Sequence, residues 1–543
     1  MSERSNIHPW WRGAVLYEIY PRSFLDSGGD GVGDLRGIMR RLDYVADLGV
    51  DGVWICPFFP SPMKDFGYDV TDYCGVDPLF GNMADFDALL AEAHKLSLKI
   101  IIDQVWSHTS DRHPWFSESR MARSGDKSDW YVWADPKPDG TPPNNWLSVF
   151  GGSAWTWEPR RRQYYLHHFL SAQPQLNLRN EKVVAALFDV GKFWLDRGVD
   201  GFRLDAVDFM FHDPLLRDNP PRAIDPAIPP ARPFGMQRHI YDMLQPELLD
   251  FMRRMRGLMS AYPGTMAMGE ISSEPGALGR VATYTDPREQ RLDLAYTLAV
   301  MKIKLNAASL HRVLAEATAA TDRGGLCWAF SNHDTVRAVS RWSRNGASPQ
   351  FAKMLMGLLV SLPGSACVYQ GEELGLPEAE LLPSEMRDPY GIAFYPSFKG
   401  RDGARTPMPW TTQKPWAGFT RATRPWLPVP PSHIPYAAAA QENDATSVLN
   451  HSRRLLRWRK QQPALVTGGV RAVPLSEPLF AIERATGDDR VLAVFNLEDR
   501  PVRVARESLP DCAPLDGHGF TGVLTGRDLS LGPHDAFFAR IPH

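Results

Sequence analysis

From Ala14 to Tyr369, short runs of apolar and β-branched residues alternate with longer segments whose apolar positions recur at helical spacing. The strand-like runs are Ala14–Tyr20, Gly52–Cys56, Lys99–Asp103, Gly201–Asp205, Met266–Glu270, Leu326–Phe330 and Ser365–Tyr369, with a less apolar eighth at Leu292–Leu298. Amphipathic stretches such as Asp85–His94 and Val183–Trp194 lie between them. Strands of nearly continuous apolar character, separated by helices, predict βα units around a parallel sheet. Eight of them close a (β/α)8 TIM barrel.

Two intervals exceed the few residues that a connection needs. Residues 104–175 are rich in Trp, Tyr, Pro and Gly and predict an excursion domain inserted after the third strand, and the Pro-rich residues 372–440 predict a long irregular loop insertion. The barrel then takes residues 1–103 and 176–465. Beyond Leu465 the helical spacing stops, and runs at Leu479–Glu483, Val491–Phe495 and Ala536–Arg540 predict a C-terminal antiparallel β-sandwich over 466–543.

Composition narrows the class of function. The formal charge of −3 gives no general attraction to nucleic acid or to an anionic membrane surface, and no stretch approaches the ~20 apolar residues needed to span a bilayer. The five cysteines are odd in number and lack CxxC spacing, and Cys56, Cys327 and Cys367 fall in strand-like runs, which predicts buried free thiols. The N-terminus has no apolar core of a signal peptide. These readings together point to a cytoplasmic protein acting on a small molecule. The oligomeric state, monomer or homodimer, stays open.

Three carboxylates stand at the ends of strand-like runs: Asp205, Glu270 and Asp334. Acids there emerge at one rim of a parallel barrel, where ligands bind. Aspartate also favours helix N-caps, so one such acid alone would say little. Three together, with Arg203 two residues before Asp205 and therefore on the same side of the strand, suit glycosidic cleavage by a carboxylate pair. Arg203 is expected to keep Asp205 ionised and leave Glu270 as the proton carrier. His108 and His333 are candidate donors to sugar hydroxyls.

The segments Asp103–His108 (Asp-Gln-Val-Trp-Ser-His), Gly201–Asp205, Gly269–Glu270 and Ser331–Asp334 stand in the order of four signatures of the α-amylase superfamily of retaining glycoside hydrolases. The chain resembles its α-glucosidase and oligo-1,6-glucosidase branch from Tyr17–Phe24 to the terminal sandwich. The resemblance implies Asp205 as nucleophile, Glu270 as general acid/base and Asp334 as the group that grips the sugar. It further implies that Asp65 and Tyr68 hold a terminal glucose, that Arg405 pairs with Asp65 to close the pocket, and that Phe150, Phe169 and Gln173 line it. Asp26, Asp30, Val32 and Asp34 match a loop that holds Ca2+ or Mg2+ in relatives. Gly28 removes one ligand there, and the chemistry itself requires no metal. Ser107 and Gln175 replace the family's usual Asn and Asp, while Ala206 stands where many α-1,6-acting relatives carry Val.

The expected activity is exo-acting release of glucose from maltose-like substrates, with α-1,4 preference and transfer to alcohol acceptors. A dedicated transglucosylase, a trehalose- or isomaltulose-synthase type of isomerase, and an oligo-1,6-glucosidase are the alternatives. Non-catalytic transporter subunits of this fold lack the carboxylates and carry a membrane helix, unlike this chain.

Overall fold

The computed structural model describes residues 8–542 apart from 225–229, 321–324, 345 and 414. The first seven positions, on which part of the signal-peptide reading rests, lie outside the described residues. Nineteen strands follow in chain order among the described residues: β1 Val15–Ile19, β2 Gly52–Ile55, β3 Lys99–Gln104, β4 Trp133–Ala134, β5 Trp155–Glu158, β6 Gln163–Leu166, β7 Gly201–Leu204, β8 Met266–Ile271, β9 Leu294–Thr297, β10 Cys327–Ala329, β11 Ser365–Tyr369, β12 Gly469–Ala472, β13 Leu479–Thr486, β14 Asp489–Asn496, β15 Val502–Ala505, β16 Ala513–Pro514, β17 Val523–Leu524, β18 Asp528–Leu531 and β19 Ala536–Arg540.

The eight runs predicted as barrel strands pair in parallel in the order β10-β11-β1-β2-β3-β7-β8-β9. A parallel bridge between Ala295 and Leu326 brings the two ends of that sheet together. Three of the helices around it start at side-chain caps of this kind: Asn82 accepts from Asp85 N–H while Asp85 accepts from Asn82 N–H, Asn180 caps Glu181–Asp196, and Ser348 followed by Pro349 opens Pro349–Ser361.

Period-two alternation sorts the side chains. Leu16, Trp54, Ile101, Met266, Met268, Leu294, Tyr296, Cys327 and Cys367 pack inside the barrel, and Val15, Val53, Ile100, Ile102 and Phe202 pack outward against the helices. A small antiparallel sheet, β4-β6-β5, lies in the segment after β3. The C-terminal strands form a five-stranded sheet, β12-β13-β14-β19-β16, and a three-stranded sheet, β15-β18-β17, around an apolar layer that includes Leu479, Leu492, Leu529 and Phe537. This is the predicted fold class. Cys56, Cys327 and Cys367 are buried free thiols, as expected. No helix among the described residues is long and apolar enough to cross a membrane.

Candidate active site

Strand register assembles the acids. Asp103 on β3 stands beside Arg203 on β7, and Arg203 beside Met268 on β8, two residues before Glu270. Gly201 allows β7 and β8 their close approach, because a Cβ there would run into the Met266 carbonyl. Asp205 follows the last residue of β7, and Ala206 turns the chain sharply with φ of 44°.

The Arg203 side chain is fully buried and organises this rim. Its Nη1 donates to Asp103 Oδ1 (2.8 Å), Asp103 Oδ2 (3.0 Å) and Asp205 Oδ1 (2.8 Å). Its Nη2 donates to Glu270 Oε2 and to the Tyr296 hydroxyl, the latter at 2.7 Å. The guanidinium therefore serves Asp205 and Glu270 alike and does not select Asp205 as the anion, contrary to the expectation from sequence. The reason is tertiary: the planar fork spans two strands and offers a nitrogen to each acid. Burial raises the pKa of both carboxyls. Arg203 opposes that rise in both, while Glu270 and Asp103 add to it for Asp205 and Asp334 adds to it for Glu270. Two acids this close on one cation titrate as a pair.

Asp334 behaves differently. Burial opposes its charge, but His333, Arg401 and Arg405 outweigh burial and hold it well below the usual carboxylate range. It receives Arg405 Nη2 at 2.6 Å and Arg401 Nη1 at 3.3 Å, and 28% of its side chain remains exposed. That exposure leaves it able to meet a ligand.

The acids open onto a cavity of about 670 Å³, within the usual range for small-molecule sites. Asp65, Tyr68, His108, Phe150, Phe169 and Gln173 line it, so every one of these residues singled out from sequence converges there with Asp205, Glu270 and Asp334. Gln173 Nε2 donates to Asp65 Oδ2 (3.1 Å). His108 pairs its Nε2 with the Tyr68 carbonyl (2.9 Å) and its Nδ1 with the Ser107 hydroxyl (2.9 Å). Burial lowers the His108 pKa to about 4, so it is neutral near pH 7. Gln175 donates to the Phe209 carbonyl.

Arg203, His333 and Arg405 do not line the cavity but brace its walls from behind. The expected Asp65–Arg405 pair does not form. Arg405 donates Nε to the His333 carbonyl (2.7 Å) and Nη2 to Asp334, which uses its reach below the rim. Arg401, one helical-turn spacing earlier in the 372–440 insertion, takes the expected place. Its Nη2 donates to Asp65 Oδ1 (2.7 Å) and Asp388 Oδ1 (2.8 Å), and its guanidinium lies 5.0 Å over the Phe150 ring. Asp388 also accepts Arg401 Nε at 3.1 Å. Motif likeness points to Arg405 instead of Arg401, and nothing in the local pattern marks Asp388. Beyond this clamp, Phe209, Phe234, Tyr390 and Phe398 continue the cavity wall as an aromatic mouth, with Arg232 4.7 Å over Tyr390.

The Asp26–Asp34 loop supplies its own hydrogen bonds. Asp26 accepts Gly29 and Gly31 N–H, Asp34 accepts Ser27, Gly28 and Gly37 N–H, and Asp30 accepts Val32 N–H. Among the described residues, the carboxylates of Asp26, Asp30 and Asp34 are not gathered into one ligand cluster. Asp26 and Asp34 both approach Gly28, which supplies no side-chain ligand, so a Ca2+ or Mg2+ ion would rest on Asp26, Asp30, Val32 and Asp34.

A carboxylate pair at the C-terminal rim of a parallel barrel suits a glycoside-cleaving class of site. Residues 18–468 match the catalytic domain of the α-amylase family, and the chain belongs to that family of glycoside hydrolases. It is 52% identical over 541 residues to a probable alpha-glucosidase of Rhizobium meliloti, covering 98% of this chain and 97% of that protein. It is 36% identical over 527 residues to the oligo-1,6-glucosidase of Parageobacillus thermoglucosidasius, covering 90% and 91%. The crystal structure of an alpha-glucosyl transfer enzyme superposes with a TM-score of 0.95 at 52% identity, over 98% of this chain and 99% of that one.

Proposed function

We propose that the chain is an exo-acting retaining α-glucosidase that releases a terminal glucose from short α-glucosides. The observation that carries this is the sharing of Arg203 by Asp205 and Glu270 on a cavity that Asp65 and Arg401 of the Asp65–Arg401–Asp388 clamp also line. Carboxylates on adjacent nitrogens of one guanidinium suit the ~5–5.5 Å separation of retaining enzymes rather than the wider inverting spacing. The clamp closes the far side and favours a chain end over an internal sugar.

In this reading the raised pair holds one proton. A glycosidic oxygen placed over Glu270 draws the proton there and leaves Asp205 the anion. Asp205 attacks the anomeric carbon, the bond to the leaving oxygen breaks, and Glu270 delivers its proton to that oxygen. Glu270, now a base, takes a proton from water or an alcohol as that oxygen displaces Asp205. Asp334, kept charged, Asp65 and Tyr68 hold the sugar's hydroxyls, with neutral His108 beside them. The small Ala206, next to Glu270, favours α-1,4 links. The aromatic mouth gives an acceptor room to compete with water, and the likeness to an alpha-glucosyl transfer enzyme supports transfer alongside hydrolysis.

The test is product analysis with maltose, isomaltose and sucrose together with the Asp205→Asn variant. Glucose released first as the α-anomer, and activity in Asp205→Asn below about 1% of the parent, are expected. A dominant isomeric disaccharide with little glucose would overturn the hydrolase reading, and β-glucose as first product would overturn retention.

A further inference from the structure

One buried group that the mechanism does not use stands directly behind the sugar-facing residues. Glu18, on β1, is fully buried. Its Oε1 accepts His333 Nδ1 at 2.6 Å and His333 backbone N–H at 3.3 Å, and the Cys56 thiol stands 3.6 Å away. Its Oε2 has no hydrogen-bond partner among the described residues. His333 is itself fully buried. Its ring lies parallel to those of Tyr20 (5.6 Å, 8°) and Tyr68 (5.4 Å, 7°), with Trp54 edge-on at 6.0 Å. Parallel packing fixes the plane of the imidazole but not which of its two flipped orientations it takes or the position of its protons. Only a hydrogen bond in the plane does that.

We infer that Glu18 is a positioning residue for the sugar site: its Oε1 holds a proton on His333 Nδ1 and so aims Nε2 at Tyr68 and Asp334. Nε2 lies 2.7 Å from the Tyr68 hydroxyl and 3.4 Å from Asp334 Oδ1, and both of those residues line the cavity. The chain Glu18–His333–Tyr68/Asp334 thus runs from the barrel interior to two ligand-facing groups without Glu18 touching the ligand. A ring turned about within its stack would present carbon atoms to Tyr68 and leave a buried nitrogen without a partner. A glutamine at position 18 keeps the accepting oxygen without the charge, so it separates the two contributions.

The inference rests on the glucosidase reading only in taking Tyr68 and Asp334 as sugar-facing. Its test is a double-mutant cycle on p-nitrophenyl α-glucoside. Glu18→Met, which keeps side-chain volume without an acceptor, is expected to lower kcat/KM by about 10- to 100-fold, the effect of roughly an ångström of misplacement. Glu18→Gln is expected to stay within about threefold of the parent. In a His333→Asn background the Glu18→Met penalty is expected to shrink below about twofold, since the residue it acts through is gone. An undiminished penalty in that background, or a Glu18→Gln as damaging as Glu18→Met, would overturn the inference. Proton NMR of the parent adds an arm that needs neither folding nor activity of a Glu18 variant. A downfield imidazole N–H resonance that disappears in His333→Asn is expected, and its absence from the parent would equally overturn the pairing. A protein that shows this resonance but cleaves no α-glucoside would refute the proposed function and leave the Glu18–His333 pairing standing.

Discussion

Replacing Arg401 with glutamine tests the pocket architecture most directly, because structure and sequence pattern put different arginines on Asp65. Arg401 is only 6% exposed, and its carboxylate partners Asp65 and Asp388 are 5% and 0% exposed. Removing one partner of a buried ion pair costs about 3–5 kcal/mol, because the remaining charge is left uncompensated. At roughly 2 cal/mol/K of unfolding entropy per residue, a chain of 543 residues should lose about 3–5 °C of Tm. Burial already raises the Asp65 carboxyl, and Arg401 is the first of the two arginines that oppose it. Without Arg401 the Asp65 pKa rises further, so the acid limb of kcat/KM should move to higher pH. Loss of a charge-assisted hydrogen bond to the sugar is worth about 1.5–3 kcal/mol, or about 10- to 100-fold in kcat/KM on maltose, most of it expected in KM. The assay is a cycle of Arg401→Gln and Arg405→Gln, each with Asp65→Asn, scored by kcat/KM and by calorimetric Tm. Coupling of about 1.5 kcal/mol or more to Arg401, and a clearly smaller value to Arg405, is expected. Coupling confined to Arg405, with an Arg401→Gln protein matching the parent in Tm and KM, would refute the placement of the clamp.

Two further outcomes follow from the proton inventory. Glu270→Gln should lose about 100-fold more activity on maltose than on p-nitrophenyl α-glucoside, whose leaving group departs without protonation; equal losses would remove Glu270 from the acid role. Burial pushes the Glu372 and Glu378 carboxyls up to about 7, so between the unfolded value of about 4.3 and 7 the folded chain binds protons the unfolded chain has released. Stability therefore falls as pH rises through that window. Glu372→Gln should flatten Tm between pH 5 and 7, and a slope identical to the parent's would contradict the burial of that charge.

Much was legible in the chain itself. The eight barrel strands could be read because each is a short apolar run bounded by helix-forming or turn residues, and burial on both faces leaves little choice of residue. Asp205, Glu270 and Asp334 could be read because each stands at or just beyond the end of such a run, where the barrel geometry gives a side chain only one rim to occupy. Tyr68, His108, Phe150, Phe169 and Gln173 came from motif likeness, and the fold brings them to one cavity. What the chain alone could not decide is which cation meets which acid. Arg203 and Asp205 share a strand side, which suggested an exclusive pair, yet Glu270 arrives from the neighbouring strand and Asp103 from the other, and the fork is divided among them. Arg401 and Arg405 stand four residues apart in a segment with no regular period, and only the path of that insertion over the rim sends the first to Asp65 and the second beneath Asp334. The Asp26–Asp34 spacing matches a cation loop, and in the fold its carboxylates also accept the loop's own amides. Periodicity is a local property, and strands and their ends follow from it. Pairing energies depend on distances across elements far apart in sequence, and these exist only once the barrel has closed.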